Sequence, residues 1–322
     1  MPIKAFVPDN YRNVAVADFA KMRELDIWGD LEASALKLAF SAIERELGCP
    51  MDDLDRVWMV VEMSDNSDSQ REERGIRVLE GNKPLPLPPS AANGWERDEI
   101  GGYKVLRRDV YRNERMYQPT PNVQIWGTAN VMDAVFAGKP CSGTPSPDVM
   151  SLLAGKEQAL AWYVMSLDHP AGKRLLVGPF EGTQWAEEDA PQFLCMRLLA
   201  TGESDDPHLT VEVVLRHATP AGVPVTSKAV DDLLERLATQ KEMLILRPLL
   251  GKFVKKEDGV DVRLRADFGR SRQAVGHVAT LAVTLLLPRH LGGNAPPVQV
   301  DVAEEVEEPP PPPPVEPPKK KD

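Results

Sequence analysis

Apolar positions along this chain switch repeatedly between two periods. Short apolar or alternating runs predict strands, and spacings of three and four predict helices. RNVAVAD (12–18) reads as a strand ending at Asp18. Leu36, Phe40, Ile43 and Leu47 share one face of a helix over about 30–47, stopped by Gly48 and Pro50. DRVWMVVEM (55–63) and GIRVLEG (75–81) are β-branched and read as strands on either side of a polar loop, 64–75. GYKVLRRDVY (102–111) and NVQIWGT (122–128) are further strand candidates. Two short helices follow. One is capped at Asn130 and stopped by Gly138, and the other opens at Pro147 and Asp148. QALAWYVMSLD (158–168) closes this stretch as a buried strand.

The same alternation resumes beyond a connection at 169–190. PQFLCMRLLATGE (191–203) and HLTVEVVLRH (208–217) predict a hairpin. The helix over Val225–Gln240 is the clearest in the chain, with Thr226 or Ser227 as its cap and Val230, Leu233, Leu234 and Leu237 along one face. GKFVKK and VDVRLRADFG predict a second hairpin around Glu257–Gly259, and a last helix covers about 271–287. Strands joined by short turns, without long helices between them, point to an antiparallel arrangement. The expected fold is α+β: antiparallel sheets faced by helices, in two similar halves at 1–168 and 191–294.

Two segments break the rhythm. Pro84 to Pro89 holds four prolines in six positions, so 82–101 reads as an extended surface insertion, with Trp95 more exposed than the other tryptophans. Residues 295–322 combine an acidic block, a proline run and three lysines, a composition that predicts a disordered tail.

Composition narrows the function classes. The net charge is −11, of which −4 lies in residues 301–322 and −7 in the rest, which disfavours a general phosphate-binding surface. The three cysteines, Cys49, Cys141 and Cys195, form no CxxC and stand near no histidine at ligand spacing. They read as free thiols of a reducing compartment, with Cys141 in a small-residue loop. The longest apolar run, 278–287, is too short to span a bilayer, and the amino terminus has no signal-peptide pattern. The chain as written is expected to be cytoplasmic, and exported or anchored only if a leader is missing.

LLGKF (249–253) lacks the upstream glycine and the hydroxyl residue of a phosphate loop. GPFEGTQW (178–185) has glycines at turn spacing, and no two of the five histidines fall at i, i+4 on a helix. Asp65 and Asp68 lie in an acidic loop without the glycine and glutamate of a calcium site. Lys104, Arg107, Arg108, Arg112 and Arg115 interleave with Tyr103, Tyr111 and Tyr117, as in single-strand nucleic-acid sites, but Asp109 and Glu114 interrupt them. No cofactor or metal is called for, and nucleic acid is not the favoured partner.

VPDNYRNVAVADFAKM, the segment Leu47, Gly48 and Asp53 to Val57, and NVQIWGTANVMDAVFAG together resemble a family of uncharacterised proteins of planctomycete-type bacteria. The resemblance covers about 7–168 and, more faintly, 190–287. It implies no activity and no site residues.

The expectation for function is a non-enzymatic interaction or structural protein. Its protein partner would be met through the tail at Pro309, Pro310, Pro311 and Pro312, a preformed polyproline ligand, with Lys319, Lys320 and Lys321 beside it. The alternative is a small-ligand binder or enzyme with its site between the halves, for which Asp18, Asp55, Arg56 and Asp168, at strand ends, are the candidates. Such residues also serve as caps and ion pairs, and the pattern leaves both roles open.

Overall fold

The structure is a computed structural model. It describes residues 2–33, 37, 40–41, 44–45, 48–62, 74–87, 94–108, 113–154, 159–168, 172, 176, 180, 182–203, 206–239, 247–269 and 275–276. In chain order, β1 (Asn13–Asp18) leads into α1 (Phe19–Glu24) and α2 (Trp28–Glu32). Then come β2 (Leu54–Glu62), β3 (Arg74–Gly81), β4 (Glu96–Ile100), β5 (Tyr103–Arg108), β6 (Glu114–Thr120) and β7 (Val123–Thr128). The helices α3 (Ala129–Phe136) and α4 (Pro147–Leu152) precede β8 (Ala159–Ser166), β9 (Phe193–Glu203) and β10 (Asp206–Arg216). The long helix α5 (Val223–Thr239), the short α6 (Arg247–Leu250), β11 (Val254–Asp258) and β12 (Asp261–Gly269) complete the set.

The expected antiparallel α+β architecture is present, but as one sheet. Among the described residues, all twelve strands join in the order β11-β12-β10-β9-β8-β1-β2-β3-β7-β6-β5-β4. β8 pairs with β1 on one side and β9 on the other, so backbone hydrogen bonds run unbroken from residues 13–18 to 261–269. Among the described residues, no break in the pairing separates the segments at that seam.

Side-chain alternation sends two different sets of residues to the two faces. On the first face, Phe6 and α3 cover Ile76, Val78, Val105 and Ile125. Beside them, Val149 and Leu152 of α4 lie over Val14, Val60, Val164, Cys195 and Val214. The second face carries Leu79, Leu106, Trp126 and Leu160 under α1 and α2. Further along it, Leu215, Val262 and Leu264 lie under α5. Gly101 makes the turn between β4 and β5 with φ of 59°, and a Cβ there would lie 2.3 Å from the Phe136 carbonyl oxygen at the end of α3. Glycine answers both the left-handed backbone and the close approach.

Several local expectations need correction. Residues 82–101 are not all surface insertion: 96–100 form β4, Leu85 is buried, and Trp95 is only 2% exposed. Its ring meets Trp126 edge-on at 5.2 Å and lies 4.7 Å under the Arg108 guanidinium. Burial of one large ring repays the ordering of an otherwise polar segment. The apolar pattern does not predict the strand β6; it holds Pro119, which the pairing with β7 tolerates through a register shift between Tyr117 and Thr120. The α3 cap is Thr128, and Asn130 instead accepts from Thr128 Oγ1 at 2.6 Å and from its neighbour's N–H at 2.8 Å. The long helix begins at Val223, before Thr226 and Ser227, which are buried in it. A turn at Pro220–Gly222 precedes it, and Thr219 Oγ1 accepts from Ala221 N at 3.4 Å. Leu233 is half-buried; Val230 is the deeply buried residue of that face. Residues 37, 40, 41, 44 and 45 are helical, as the 30–47 pattern predicts. The 64–73 loop, most of the 271–287 helix and the tail from 295 lie outside the described residues.

Candidate binding surface

Asp18 and Arg56 are brought together. They are register partners at the end of the β1–β2 pair, and Arg56 Nη2 donates to Asp18 Oδ2 at 3.0 Å. Glu80 on β3 extends the row, 3.8 Å from the same guanidinium and accepting from Trp58 Nε1 at 3.1 Å. These contacts hold the Arg56 pKa above its ordinary value, the hydrogen bond to Asp18 being the largest cause. Asp18 also caps α1 by accepting from Lys21 N at 3.0 Å. Asp55 points to the other face of β2, where Arg23 of α1 donates to it at 2.6 Å.

Asp168 is not part of this group. β1 and β8 are antiparallel, so it lies by the opposite end of β1, about 15–20 Å away at the strand rise. There it accepts from Arg12 and Ser166. Burial works against its charged form, but those two hydrogen bonds and the Arg12 charge outweigh it, and the carboxyl stays below its usual value. The four candidates therefore fall in three separate ion pairs, Asp18–Arg56, Asp55–Arg23 and Asp168–Arg12, so each acid has a cation. Capping and ion pairing account for all four.

The basic and aromatic stretch is likewise occupied. Tyr103 and Tyr117 pack edge-on at 5.7 Å over Phe136. Arg107 meets Glu96 at 3.2 Å and Asp98 at 3.4 Å, and Arg115 holds Asp133 at 3.1 and 3.2 Å. Arg108 pairs with Glu114. Arg112 and Tyr111 lie outside the described residues, as do Asp65 and Asp68.

Cys49 and Cys195 are buried and Cys141 is half-buried, and none of the three is in a disulfide. Burial, with Asp53 and Glu44 nearby, pushes the Cys49 thiol up to about 11. His217 is buried, its Nδ1 lying 2.9 Å from the Asp189 carbonyl, and burial lowers its pKa. Among the described residues no three histidine, cysteine or acidic side chains gather as a metal site.

A surface that pattern reading missed lies on the first face beyond α4. Arg197 donates to the Leu152 carbonyl at the end of that helix, and Arg216 donates to Ser151. Past this point the rows across the sheet change character. The apolar row Val164, Cys195, Val214 continues into Arg263 and Lys256. The adjacent row runs Trp162, Arg197, Glu212, Arg265 and Val254. Beneath them, Asp261 is 2% exposed and accepts from Arg216 at 2.7 and 2.9 Å and from Arg263 at 2.7 Å. Glu212 accepts from Arg197 at 3.0 Å.

Over this base lies a groove of about 520 Å³, lined by Lys252, Val254, Lys256, Arg263, Arg265, Glu212 and Asp267. Val254 is 70% exposed, and Lys256 and Arg265 are exposed. Among the described residues neither cation makes a hydrogen bond or ion pair, though the Arg265 charge helps hold Asp267 below its usual pKa after the Gly269 backbone hydrogen bond. β11 is an edge of the sheet, so its outer backbone groups face no strand among the described residues. The signal lay in the alternation V-x-K in 254–256 and R-x-R in 263–265, cations where a covered face would carry valine and leucine.

No family model matches the chain, and no curated protein matches it. Two solved structures of TP0453, crystal forms I and III, are similar over 88% of this chain. Form I covers 97% of that chain at 12% identity with a TM-score of 0.45, and form III covers 98% at 12% identity with 0.43. No helix among the described residues is long and apolar enough to cross a membrane.

Proposed function

We propose that this chain is a non-enzymatic interaction protein whose groove on β10, β12 and β11 takes an extended acidic segment of a protein partner. The observation that carries this reading is the groove's charge. Four cations and two acids line it, in a chain of net charge −11. Charge of one sign gathered against a background of the other steers and registers a complementary partner. The outer side of β11, which pairs with no strand among the described residues, adds main-chain hydrogen bonding for a strand laid beside it. Glu212 and Asp267 in the lining disfavour a phosphate backbone.

The tail supplies a second contact in this reading. Pro309 to Pro312 present a polyproline ligand, and Lys319, Lys320 and Lys321 add a salt-sensitive term. A two-half organisation also belongs to the proposal. It is supported by strand order: β1, β2, β3, β7, β6 and β8, β9, β10, β12, β11 run outward from the β1–β8 seam in matching sequence. On that equivalence the second half starts with β8. A reducing, cytoplasmic setting fits three cysteines that form no disulfide. Kinship with the planctomycete-type proteins belongs to the same reading.

The test is direct binding to the full chain. A fluorescein-labelled octaglutamate peptide should bind, should weaken steeply with salt, and should weaken about ten-fold or more in Lys256→Glu/Arg265→Glu, two lost charge contacts at roughly 1 kcal/mol each. An oligothymidylate that binds tighter than the peptide, or a peptide indifferent to the double substitution, overturns the reading. Exchanging Pro309–Pro312 and Lys319–Lys321 for Gly and Ser without changing the captured partners would remove the tail from the account.

A further inference from the structure

The two outermost strands of the sheet, β11 and β4, match each other in direction, face and charge. We infer that a second copy of this chain lays its β4 antiparallel along β11, carrying the sheet on from one copy to the next; this rests on the reading above that β11 is a docking edge.

Topology sets the direction. All neighbouring strands in the order from β11 to β4 are antiparallel, and there are twelve of them. Direction alternates at every step, so the first and twelfth strands run opposite ways. A copy moved sideways with the same face up therefore brings its β4 antiparallel to β11. The side-chain faces agree as well. Lys256 lies in the first-face row of Arg263, Val214 and Cys195. Asp98 pairs with Val105, which packs on that same face. Val254, Lys256 and Asp258 thus share a face with Glu96, Asp98 and Ile100.

The backbone groups agree too. Both edge strands are arms of hairpins closed by two-residue turns, Gly101–Gly102 and Gly259–Val260. Such turns close on a hydrogen-bonded pair, here Ile100–Tyr103 and Asp258–Asp261, and bonded pairs recur at every second residue. Arg97, Glu99, Lys255 and Glu257 therefore turn their N–H and C=O groups outward, where they face no strand among the described residues. Asp98 Oδ1 accepts from Glu99 N at 2.8 Å, a bond released when that carboxylate turns to a cation across the edge.

Laid at full length, the register is Val254–Ile100, Lys255–Glu99, Lys256–Asp98, Glu257–Arg97 and Asp258–Glu96. The outward backbone groups meet at Lys255–Glu99 and Glu257–Arg97, as a ladder requires. Three of these pairs join opposite charges, and the apolar pair covers Val254, which is 70% exposed. The like pair has a cation on each side, Arg263 at 3.4 Å from Asp258 and Arg107 at 3.2 Å from Glu96. Arg97, Glu99, Lys256 and Glu257 make no side-chain hydrogen bond or ion pair among the described residues, so their charges are available. Other pairings fit worse. A two-residue slip sets Lys255 against Arg97 or Glu257 against Glu99. β11 on β11 sets Lys256 against itself, and β4 on β4 does the same with Asp98. Because each copy contributes two different edges, the contact is heterologous and repeats from copy to copy.

The experiment is sedimentation velocity on the full chain. Five residues a side make a small interface, so association is expected at roughly 0.1–1 mM protein and should grow past a dimer. Exchange of amides 97, 99, 255 and 257 should slow as protein concentration rises. K256E/E257K and R97E/D98K each keep the net charge and each reverse two pairs, so either variant alone should associate about ten-fold more weakly, with an unchanged thermal melt. An equimolar mixture of the two, and one chain carrying all four substitutions, should recover the parent's association. A parent that stays monomeric to about 1 mM, or variants that do not recover on mixing, overturn the edge pairing. Octaglutamate binding that K256E/R265E weakens would then leave the groove reading standing. Octaglutamate that fails to bind, beside variants that weaken and recover, overturns the acidic-segment reading and upholds the edge pairing. Association that stops at a dimer and ignores R97E/D98K overturns β4 as the occupant in favour of β11 on β11.

Discussion

Replacing Asp261 with Asn should lower stability and strengthen binding of an acidic peptide at the same time. Asp261 is nearly fully buried and is the shared acceptor for Arg216, at 2.7 and 2.9 Å, and Arg263, at 2.7 Å. Its removal leaves Arg216, a mostly buried guanidinium, facing an amide. Breaking a buried pair by removing one partner costs about 3–5 kcal/mol, because the other charge stays desolvated. Asparagine keeps the shape and one acceptor oxygen, so the loss falls at the lower end, about 3 kcal/mol. For a chain of this size that is roughly 6–12 °C in Tm. In urea, with a slope of about 2–3 kcal/mol per molar, the midpoint drops by about 1–1.5 M. Arg263 keeps Asp258 at 3.4 Å and Glu212 at 3.9 Å, but the same change removes one negative charge beside it, so the groove becomes more positive and octaglutamate binds more tightly at low salt. The assay is a urea titration followed by tryptophan fluorescence, beside a peptide titration far below the midpoint. A double substitution, Asp261→Asn with Arg216→Met, should recover part of the loss, since removing both partners is closer to neutral than removing one. A single mutant that melts within about 2 °C of the parent would refute the argument that this network is buried and interdependent.

Val230→Asp should cost about 3 kcal/mol or more, as an unpaired buried charge, whereas Leu233→Asp should cost under about 1, and urea midpoints for the two check the assignment of the α5 face. Gly101→Ala should destabilise by about 2 kcal/mol or more, since it meets both a left-handed φ of 59° and the Phe136 carbonyl; a neutral thermal melt would count against the close approach. His217 has a folded pKa below 6.5, so the unfolded chain binds the extra proton first and stability falls as pH drops below 6.5; His217→Gln should flatten that limb in denaturation measured against pH. Asp168 has a folded pKa below 3.8, so its contribution is present above that value and lost as pH falls through the folded pKa; Asp168→Asn should remove that part of the acid limb. Cys141 should react with a thiol reagent at pH 8 well before Cys49, whose pKa of about 11 keeps it protonated and whose side chain is buried; mass spectrometry of the labelled peptides reads the order.

The local period of apolar residues alone determined most of the elements. β1, β2, β3, β5, β7, β8, β9, β10 and the β11–β12 hairpin fall where alternation or apolar runs place them, because which side of a strand is buried is written in every second residue. The antiparallel arrangement was legible too, since turns as short as Gly259, at φ of 63°, allow nothing else. Tertiary structure alone decided that the strands make one sheet, with β1 against β8 across some 150 residues of sequence, because pairing between distant strands leaves no local mark. It decided that Trp95 is buried, through a partner, Trp126, that no spacing in 82–101 reveals. It decided that Asp18 and Arg56 face each other while Asp168 stands at the other end of β1, since direction along a strand follows from topology and not from composition. It also exposed the cations of 254–265. In the sequence these are ordinary strand residues, and they become a surface because α4 ends at Leu152 and, among the described residues, no helix continues over the first face of β12 and β11. Where the cover stops is a property of the assembled layers, and that is what turns Lys256 and Arg265 from pattern into the lining of a groove.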